Sequence, residues 1–148
     1  MDTRIEDNWA TAAAVLRLAS QLVDGIQQGL ARRGFDDVRP AHGFAFVRVA
    51  AGPATTADVA QHLGVTKQAA SQLVEQLVNL GYLERRIDPR DGRARLLRLT
   101  GRACTQAAEQ AAADTVDRWK NELSPQTFAT VQAALTTIAS PGALRPAW

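Results

Sequence analysis

The short turn between two amphipathic helices in the middle of the chain constrains the fold most. The first of these helices is predicted over residues 55–63, where the Thr-Thr-Ala-Asp run at 55–58 forms a capping box at its start. Gly64 supplies a left-handed residue that ends it, and Thr66 caps the next helix, predicted over residues 67–80. Two helices joined so closely must cross at a steep angle, which is a helix-turn-helix arrangement.

A basic hairpin is predicted directly after these helices. Gly81 ends the second helix, and residues 82–86 and 95–99 can pair as two short strands. The turn at 89–92 (Pro-Arg-Asp-Gly) has glycine where a positive φ costs little. Between residues 84 and 102 there are seven arginines and three acids, a local excess of four positive charges, although the net charge of the chain is only +2. Such a patch is typical of a polyanion-binding surface, with an ordinary solvated loop as the alternative.

Four further helices are expected outside this unit. The first covers residues 7–33 and would span about 40 Å, longer than a domain of this size needs for its own core, so we expect its apolar stripe to pack against another chain. A second helix is favoured at 44–49, although the run there also suits a strand. Thr100 is expected to cap a helix that reaches Leu123, and Ser124-Pro125 opens the last one.

The composition is that of a folded globular protein. Hydrophobic residues make up 46% and charged residues 22%, and 148 residues suit one compact domain. No run approaches the roughly 18 uncharged apolar residues of a membrane helix, and the acidic N-terminus does not resemble a signal peptide. We therefore expect a cytoplasmic protein without a membrane partner.

Neither a metal site nor a catalytic site is apparent in the sequence. Cys104 is the only cysteine and is expected to pack in the interior, while His42 and His62 lack partners at metal-ligand spacing. No metal or other cofactor is therefore predicted. The sequence also shows no nucleophile with a base, no paired carboxylates in an apolar setting and no phosphate-binding glycine loop, so we do not expect an enzyme.

The second helix of the helix-turn-helix has two distinct faces. Its apolar stripe consists of Ala70, Leu73, Val74 and Leu77. The opposite face is polar and carries Lys67, Gln68, Ser71, Gln72 and Glu75. Lysine can donate to guanine, glutamine can pair with adenine, and serine can contact a base or a phosphate. By itself such a face is usually only solvated, but between a tight turn and an arginine-rich hairpin it predicts contact with double-stranded DNA.

The segment from residue 55 to residue 100 resembles the MarR family of bacterial transcriptional regulators. The most specific part is an Asp-x-Arg-Asp-x-Arg pattern that ends in Leu-Thr, matched by Asp88, Arg90, Asp91, Arg93, Leu99 and Thr100. The resemblance implies a mainly α fold with a small β-hairpin wing. A winged helix-turn-helix lobe at about 40–100 would be flanked by dimerisation helices at about 5–34 and 101–140, all within a single domain of residues 1–148.

The resemblance also implies how DNA would be contacted. The helix at 67–80 would enter the major groove, and Arg90 of the wing, oriented by Asp88, would enter the minor groove. Together with the residue types, this gives a set of expected DNA-binding residues: Thr66, Lys67, Gln68, Ser71, Gln72, Arg85, Arg86, Asp88, Arg90, Arg93 and Arg95.

The function implied by the resemblance is that of a homodimeric repressor on a pseudo-palindromic operator. A small aromatic or anionic effector, bound between the dimerisation helices and the lobe, would release it. Trp9, Phe44 and Trp119 are candidates to line such a pocket, although aromatic residues at helical spacing are more often core. The alternative is a winged-helix module for dimerisation or protein interaction without DNA binding, but such a module has no reason to accumulate arginine in its hairpin.

Overall fold

A computed structural model describes residues 2–102 and 104–146. The described chain forms six helices and one antiparallel hairpin, in the order α1 (Thr3–Arg32), α2 (Pro40–Ala50), α3 (Thr56–Leu63), α4 (Lys67–Asn79), β1 (Leu83–Ile87), β2 (Arg95–Leu99), α5 (Thr105–Lys120) and α6 (Pro125–Ile138). This is the mainly α fold with a β-hairpin wing that the sequence predicts. The segment that suited either a helix or a strand is helical and lies within α2.

Local hydrogen bonds set the boundaries of α3 and α4. The Thr55 hydroxyl accepts from the backbone N–H of Asp58 at 3.2 Å, and the Asp58 carboxylate accepts from the N–H of Thr55 at 2.8 Å. Gly64 ends α3 with a φ of +69°, a conformation that glycine adopts at little cost. Thr66 Oγ1 then accepts from the N–H of Ala69 at 3.1 Å and starts α4. The predicted helix-turn-helix and its caps are thereby confirmed.

The buried core lies where α2, α3 and α4 meet the base of the hairpin. Val59, Val74 and Leu77 are fully buried, as is the ring of Tyr82, which packs against Phe46 with 5.6 Å between ring centroids. Burying large apolar side chains contributes about 1.5–3 kcal/mol each, so this cluster holds the lobe together. The hairpin is also fixed by its backbone, because the N–H of Leu97 donates to the carbonyl of Ala54 at 2.8 Å.

Helices α1 and α5 approach each other closely through small residues. A Cβ atom added to Gly25 would lie 2.2 Å from Thr115 Oγ1, and one added to Gly29 would lie 2.4 Å from the Cβ of Ala111. Small residues on both helices therefore permit this close packing. At the edge of this contact Arg33 of the α1 C-cap pairs with Asp114 at 2.7 Å.

The predicted starts of α1 and α5 are wrong, the first because of a local cap and the second because of a hydrogen bond between residues distant in sequence. Helix α1 begins at Thr3 rather than near residue 7, since Asp2 Oδ1 accepts from the N–H of Arg4 at 3.0 Å and caps it. Thr100 does not cap α5, which begins at Thr105. The Thr100 hydroxyl instead donates to the carbonyl of Gly81, as described below for the base of the wing.

The C-terminal boundaries also need one correction. Helix α5 ends at Lys120, so Leu123 lies in the turn before α6 rather than in the helix. Ser124 caps α6 as predicted, because its hydroxyl accepts from the N–H of Thr127 at 3.1 Å, with Pro125 at the first helical position. None of the helices in the described part of the chain is both long and apolar enough to cross a membrane.

Apolar side chains on α1 and α6 remain exposed within one chain. No residue of α6 is buried, although the helix carries Val131, Leu135 and Ile138, the last of which is 79% exposed. On α1, Trp9 is 67% exposed and does not belong to the core of the single chain. Trp119 of α5 is half-buried.

Candidate nucleic-acid interface

The two faces of α4 are disposed as the sequence predicts. Ala70, Val74 and Leu77 are fully buried, and Leu73 packs partly buried against the core. The polar residues all lie exposed on the other side: Lys67, Gln68, Ser71, Gln72 and Glu75. Thr66 is also exposed, and its cap uses only an oxygen lone pair, so the hydroxyl proton is available to a further acceptor.

Two successive aspartate turns shape the tip of the wing, which we define as residues 83–99. Asp88 Oδ1 accepts from the backbone N–H of Arg90 at 2.9 Å, and Asp91 Oδ1 accepts from the N–H of Arg93 at 3.0 Å. An aspartate that binds the backbone two residues ahead stabilises a tight turn. Asp88 therefore orients the backbone of Arg90 rather than its guanidinium. Gly92 does not adopt the positive φ expected for it in the turn. The hydrogen bonds of Asp88 and Asp91 to the backbone stabilise the turn instead.

The arginines of the wing divide into paired and unpaired groups. Arg85 pairs with Glu75 at 2.8 Å and Arg86 with Glu84 at 2.9 Å. Arg95 Nη1 donates to the carbonyls of Gly92 and Ala94 in the turn, each at 3.3 Å. Among the described residues the guanidinium groups of Arg90, Arg93 and Arg98 have no ion pair. Arg90 and Arg93 lie in the turn at the wing tip, whereas Arg98 lies opposite Glu84 near the base of the hairpin.

The Arg85–Glu75 ion pair connects the wing to α4. Glu75 belongs to the exposed polar face of α4, and Arg85 lies on β1. Because their side chains meet at 2.8 Å, the wing strand and the polar face of α4 are open to solvent on the same side of the lobe. The polar face of α4 and the wing are therefore adjacent parts of the exposed surface.

One arginine that the sequence places in the basic patch serves another purpose. Arg102 Nη2 pairs with Asp37 at 2.9 Å, and its guanidinium lies over the Tyr82 ring at 4.4 Å from the centroid. The Tyr82 hydroxyl also donates to Asp37, and these two donors hold the pKa of Asp37 below its ordinary value. Burial and the bond to Asp37 raise the pKa of Tyr82. Sequence reasoning missed Asp37 because it lies 65 residues from Arg102.

The histidines and the cysteine are structural. His42 is buried, its Nδ1 accepts from the N–H of Arg39 at 3.0 Å, and burial lowers its pKa, so the ring is neutral near pH 7. His62 is buried in α3. Cys104 belongs to the core, as expected, and burial raises the pKa of its thiol. Within the described part of the chain no group of three or more potential metal ligands comes together.

An apolar cleft of about 270 Å³ lies between α1, α2 and α5. Its walls include Ile26, Leu30, Val38, Phe44, Phe46 and Ala108. The polar side chains among its described lining residues are Gln27, Thr105 and Glu109. Of the three aromatic residues considered for a pocket, Phe44 lines the cleft, whereas Trp9 and Trp119 are not among those lining residues.

A tight helix-turn-helix followed by a two-stranded hairpin with a basic tip defines a winged helix-turn-helix protein. Residues 37–94, which contain α2, α3, α4 and most of the wing, match the family model described as MarR family. This match over residues 37–94 confirms the resemblance to the MarR family that was found in the sequence. The members of this family are transcriptional regulators rather than enzymes.

Solved structures share the fold over nearly the whole chain. The reduced form of MarR from E. coli superposes with a TM-score of 0.73 at 20% identity, covering 87% of this chain and 96% of that one. RV1404 from Mycobacterium tuberculosis gives 0.71 at 19% identity, covering 96% and 97%. A mutant of MepR from S. aureus bound to an oligodeoxyribonucleotide gives 0.63 at 20% identity, covering 86% and 94%. At these identities the likeness is one of fold.

A comparison with curated proteins gave no match.

Proposed function

We propose that this protein is a sequence-specific transcriptional regulator that binds double-stranded DNA in the cytoplasm. The observation that best supports this proposal is that the exposed polar face of α4 and the wing adjoin each other, joined by the Arg85–Glu75 ion pair. An α-helix with polar residues in its first turns fits the major groove, and a neighbouring basic hairpin reaches the backbone and the minor groove. The shared fold of the oligodeoxyribonucleotide-bound MepR mutant supports the proposal.

In this proposal, different residues of the interface contact the base edges, the minor groove and the phosphates. Lys67, Gln68, Ser71 and Gln72 contact base edges from α4, and the Thr66 hydroxyl contacts a phosphate at its start. Arg90 enters the minor groove from the wing tip, on a backbone fixed by Asp88. Phosphates are neutralised by the remaining arginines of the interface: Arg85, Arg86, Arg93 and Arg95.

We further propose that the protein acts as a homodimer. The terminal helices, in the regions 5–34 and 101–140, would form the dimer, and their exposed apolar residues include Trp9, Leu16, Leu135 and Ile138. An amphipathic helix such as α6 gains most of its stability from packing, and within one chain no residue of it is buried. A two-fold dimer presents two copies of α4, which favours a pseudo-palindrome with half-sites about 10 base pairs apart.

Repression with release by an effector is the mode of regulation that we propose. A dimer on an operator that overlaps a promoter blocks the polymerase, and a ligand that prefers another arrangement of the lobes releases it. The apolar cleft is a fitting place for that ligand. Its described lining contains the acid Glu109 but no basic side chain, which favours an uncharged aromatic compound over an anionic one.

Selection of duplexes from a random pool, followed by anisotropy titration, tests the DNA-binding proposal. We expect enriched pseudo-palindromes, and we expect Gln68→Ala and Gln72→Ala to change which sequence is preferred while the salt dependence of binding stays nearly constant. Arg93→Ala is the matched control, since removing a cation from a phosphate lowers affinity for all sequences and reduces the salt slope by about 0.9. A wild-type protein that binds no duplex at low salt would instead support an interaction module without DNA binding.

A further inference from the structure

We propose that Asp37 is a positioning residue for the wing, holding it at the angle needed for the wing tip and α4 to contact DNA together. The two oxygens of its carboxylate bind the two ends of the wing. Oδ1 accepts from the Tyr82 hydroxyl, just before β1, and Oδ2 accepts from Arg102 Nη2 at 2.9 Å, just after β2. The inference rests on the proposed function, because DNA binding is its readout.

The two ends of the wing are also locked to each other. The Thr100 N–H donates to the Tyr82 carbonyl at 3.0 Å, and the Thr100 hydroxyl donates to the carbonyl of Gly81. Arg102 Nη1 donates to the Leu80 carbonyl while its guanidinium covers the Tyr82 ring. The base of the wing therefore moves as one unit, and Asp37 holds both strands at once.

Asp37 itself lies on backbone that is fixed to α1. The carbonyl of the next residue, Val38, accepts from Gln27 Nε2 of α1 at 2.6 Å, and Val38 is buried. Phe35, two residues earlier, packs against the Tyr82 ring with centroids 6.3 Å apart. The carboxylate thus connects the wing to α1, the helix that carries proposed dimer contacts, and it fixes the position of the wing relative to that helix.

The energetics point to orientation rather than to stability as the role of this carboxylate. The side chains of Asp37 and Arg102 are 28% and 43% exposed, and ion pairs in such positions contribute little to stability. The lever is long, however: a strand of five residues extends about 17 Å. A rotation of about 10° at the base displaces the tip by about 3 Å, more than the length tolerance of a hydrogen bond.

Asp37→Asn tests the proposal with Asp114→Asn as the matched control. Asp114 also forms a short ion pair, with Arg33 at 2.7 Å, but it joins α5 to the end of α1 and does not touch the wing. On a duplex selected by the wild-type protein, we expect Asp37→Asn to lower affinity about tenfold and to reduce the salt slope by about 0.9 for each phosphate that the wing no longer neutralises. Asp114→Asn should leave both within about twofold of wild type.

A double-mutant cycle separates action through the wing from a general structural role. In an Arg90→Ala/Arg93→Ala background the wing tip contributes much less to binding, so Asp37→Asn should cause a clearly smaller loss of affinity than in the wild-type background. Equal loss in both backgrounds would overturn the proposal, as would a single variant that binds like Asp114→Asn. If Asp37→Asn does not fold, Tyr82→Phe removes only the hydroxyl bond and should lower affinity several-fold with the same epistasis, and the absence of that loss counts equally against the proposal. A wild-type protein that binds no duplex overturns the proposed function and this inference together, whereas normal binding by the variants overturns only the inference.

Discussion

Two surfaces of this protein are exposed for opposite reasons. The lobe exposes the polar face of α4 and the wing tip, while its own apolar residues, such as Val74 and Leu77, are fully buried. The terminal helices expose apolar residues instead, among them Trp9 and Ile138. Water solvates the polar side chains of the first surface. The apolar side chains of the second surface lower the free energy only when another surface removes them from water. The partners that we propose follow from this difference: charge-rich DNA for the first surface and a second copy of the chain for the second.

The largest expected effect comes from placing charges on the apolar surface of α6. Leu135→Glu combined with Ile138→Glu should raise the dimer dissociation constant about a hundredfold or more, because each buried side chain contributes about 1.5–3 kcal/mol and a symmetric interface loses it twice. Sedimentation equilibrium measures the change. Gln126→Glu with Ala133→Glu places the same charges on the opposite face of α6 and should leave the dimer intact; weakening by both pairs alike would point to net charge rather than burial.

On the polar surface, substitution should change DNA affinity and leave assembly alone. Arg90→Ala should weaken binding by about 1–3 kcal/mol, since among the described residues its guanidinium forms no ion pair that would hold it away from the minor groove. Thermal unfolding should change by less than about 0.5 kcal/mol because the side chain is exposed. Anisotropy titration measures the change in DNA affinity, and a melting curve on the same sample measures the change in thermal stability. A large loss of thermal stability would show that the wing tip also supports the fold.

Between the two surfaces, the contact of α1 with α5 should tolerate no added atom. Gly25→Ala directs a Cβ to 2.2 Å from Thr115 Oγ1, an overpacking that costs about 1–3 kcal/mol, against which better helix propensity returns up to about 1 kcal/mol. A net loss of about 1–2 kcal/mol is expected in urea unfolding, and Thr115→Ala should recover part of it. Gly43→Ala is the control in α2: a Cβ there meets nothing within 4 Å, so about 0.5–1 kcal/mol of stabilisation is expected.

The features that the sequence predicted correctly are those decided within a few residues. The caps at Thr55, Thr66 and Ser124 each bind a backbone N–H three positions ahead, so residue type and spacing were sufficient to find them. The alternation of apolar and polar residues likewise identified both faces of α4. Thr100 fits the same local pattern, yet its hydroxyl binds Gly81, 19 residues away, because the two strands bring them together. A capping rule that considers only neighbouring residues cannot predict a hydrogen bond to an acceptor so far along the chain.

The candidate site shows the same limit. The wing motif located Asp88 and Arg90, but the partner of the aspartate is a backbone N–H, which the resemblance to the family did not reveal. Charge counting treated all seven arginines of the patch as equal, although Arg85 pairs with Glu75 and Arg102 with Asp37. Which positive charges remain for a polyanion depends on contacts made by the folded chain, and counting charges along the sequence cannot identify them.

The smallest expected effect concerns the capping box of α3, which should stabilise the lobe in a pH-dependent way. The backbone N–H of Thr55, helped by its hydroxyl, holds the pKa of Asp58 below its ordinary value of 3.8. A lowered pKa in the folded state means that the contribution is fully present above that ordinary value and is lost as the pH falls through the folded value. Asp58→Ala should therefore cost about 0.5–1 kcal/mol at pH 7 in urea unfolding, and the difference from wild type should shrink below about pH 4. Gln61→Ala, at an exposed position of the same helix, should show no such dependence, and a difference for Asp58→Ala that persists unchanged at pH 3 would mean that packing rather than the charged cap stabilises this end of the lobe.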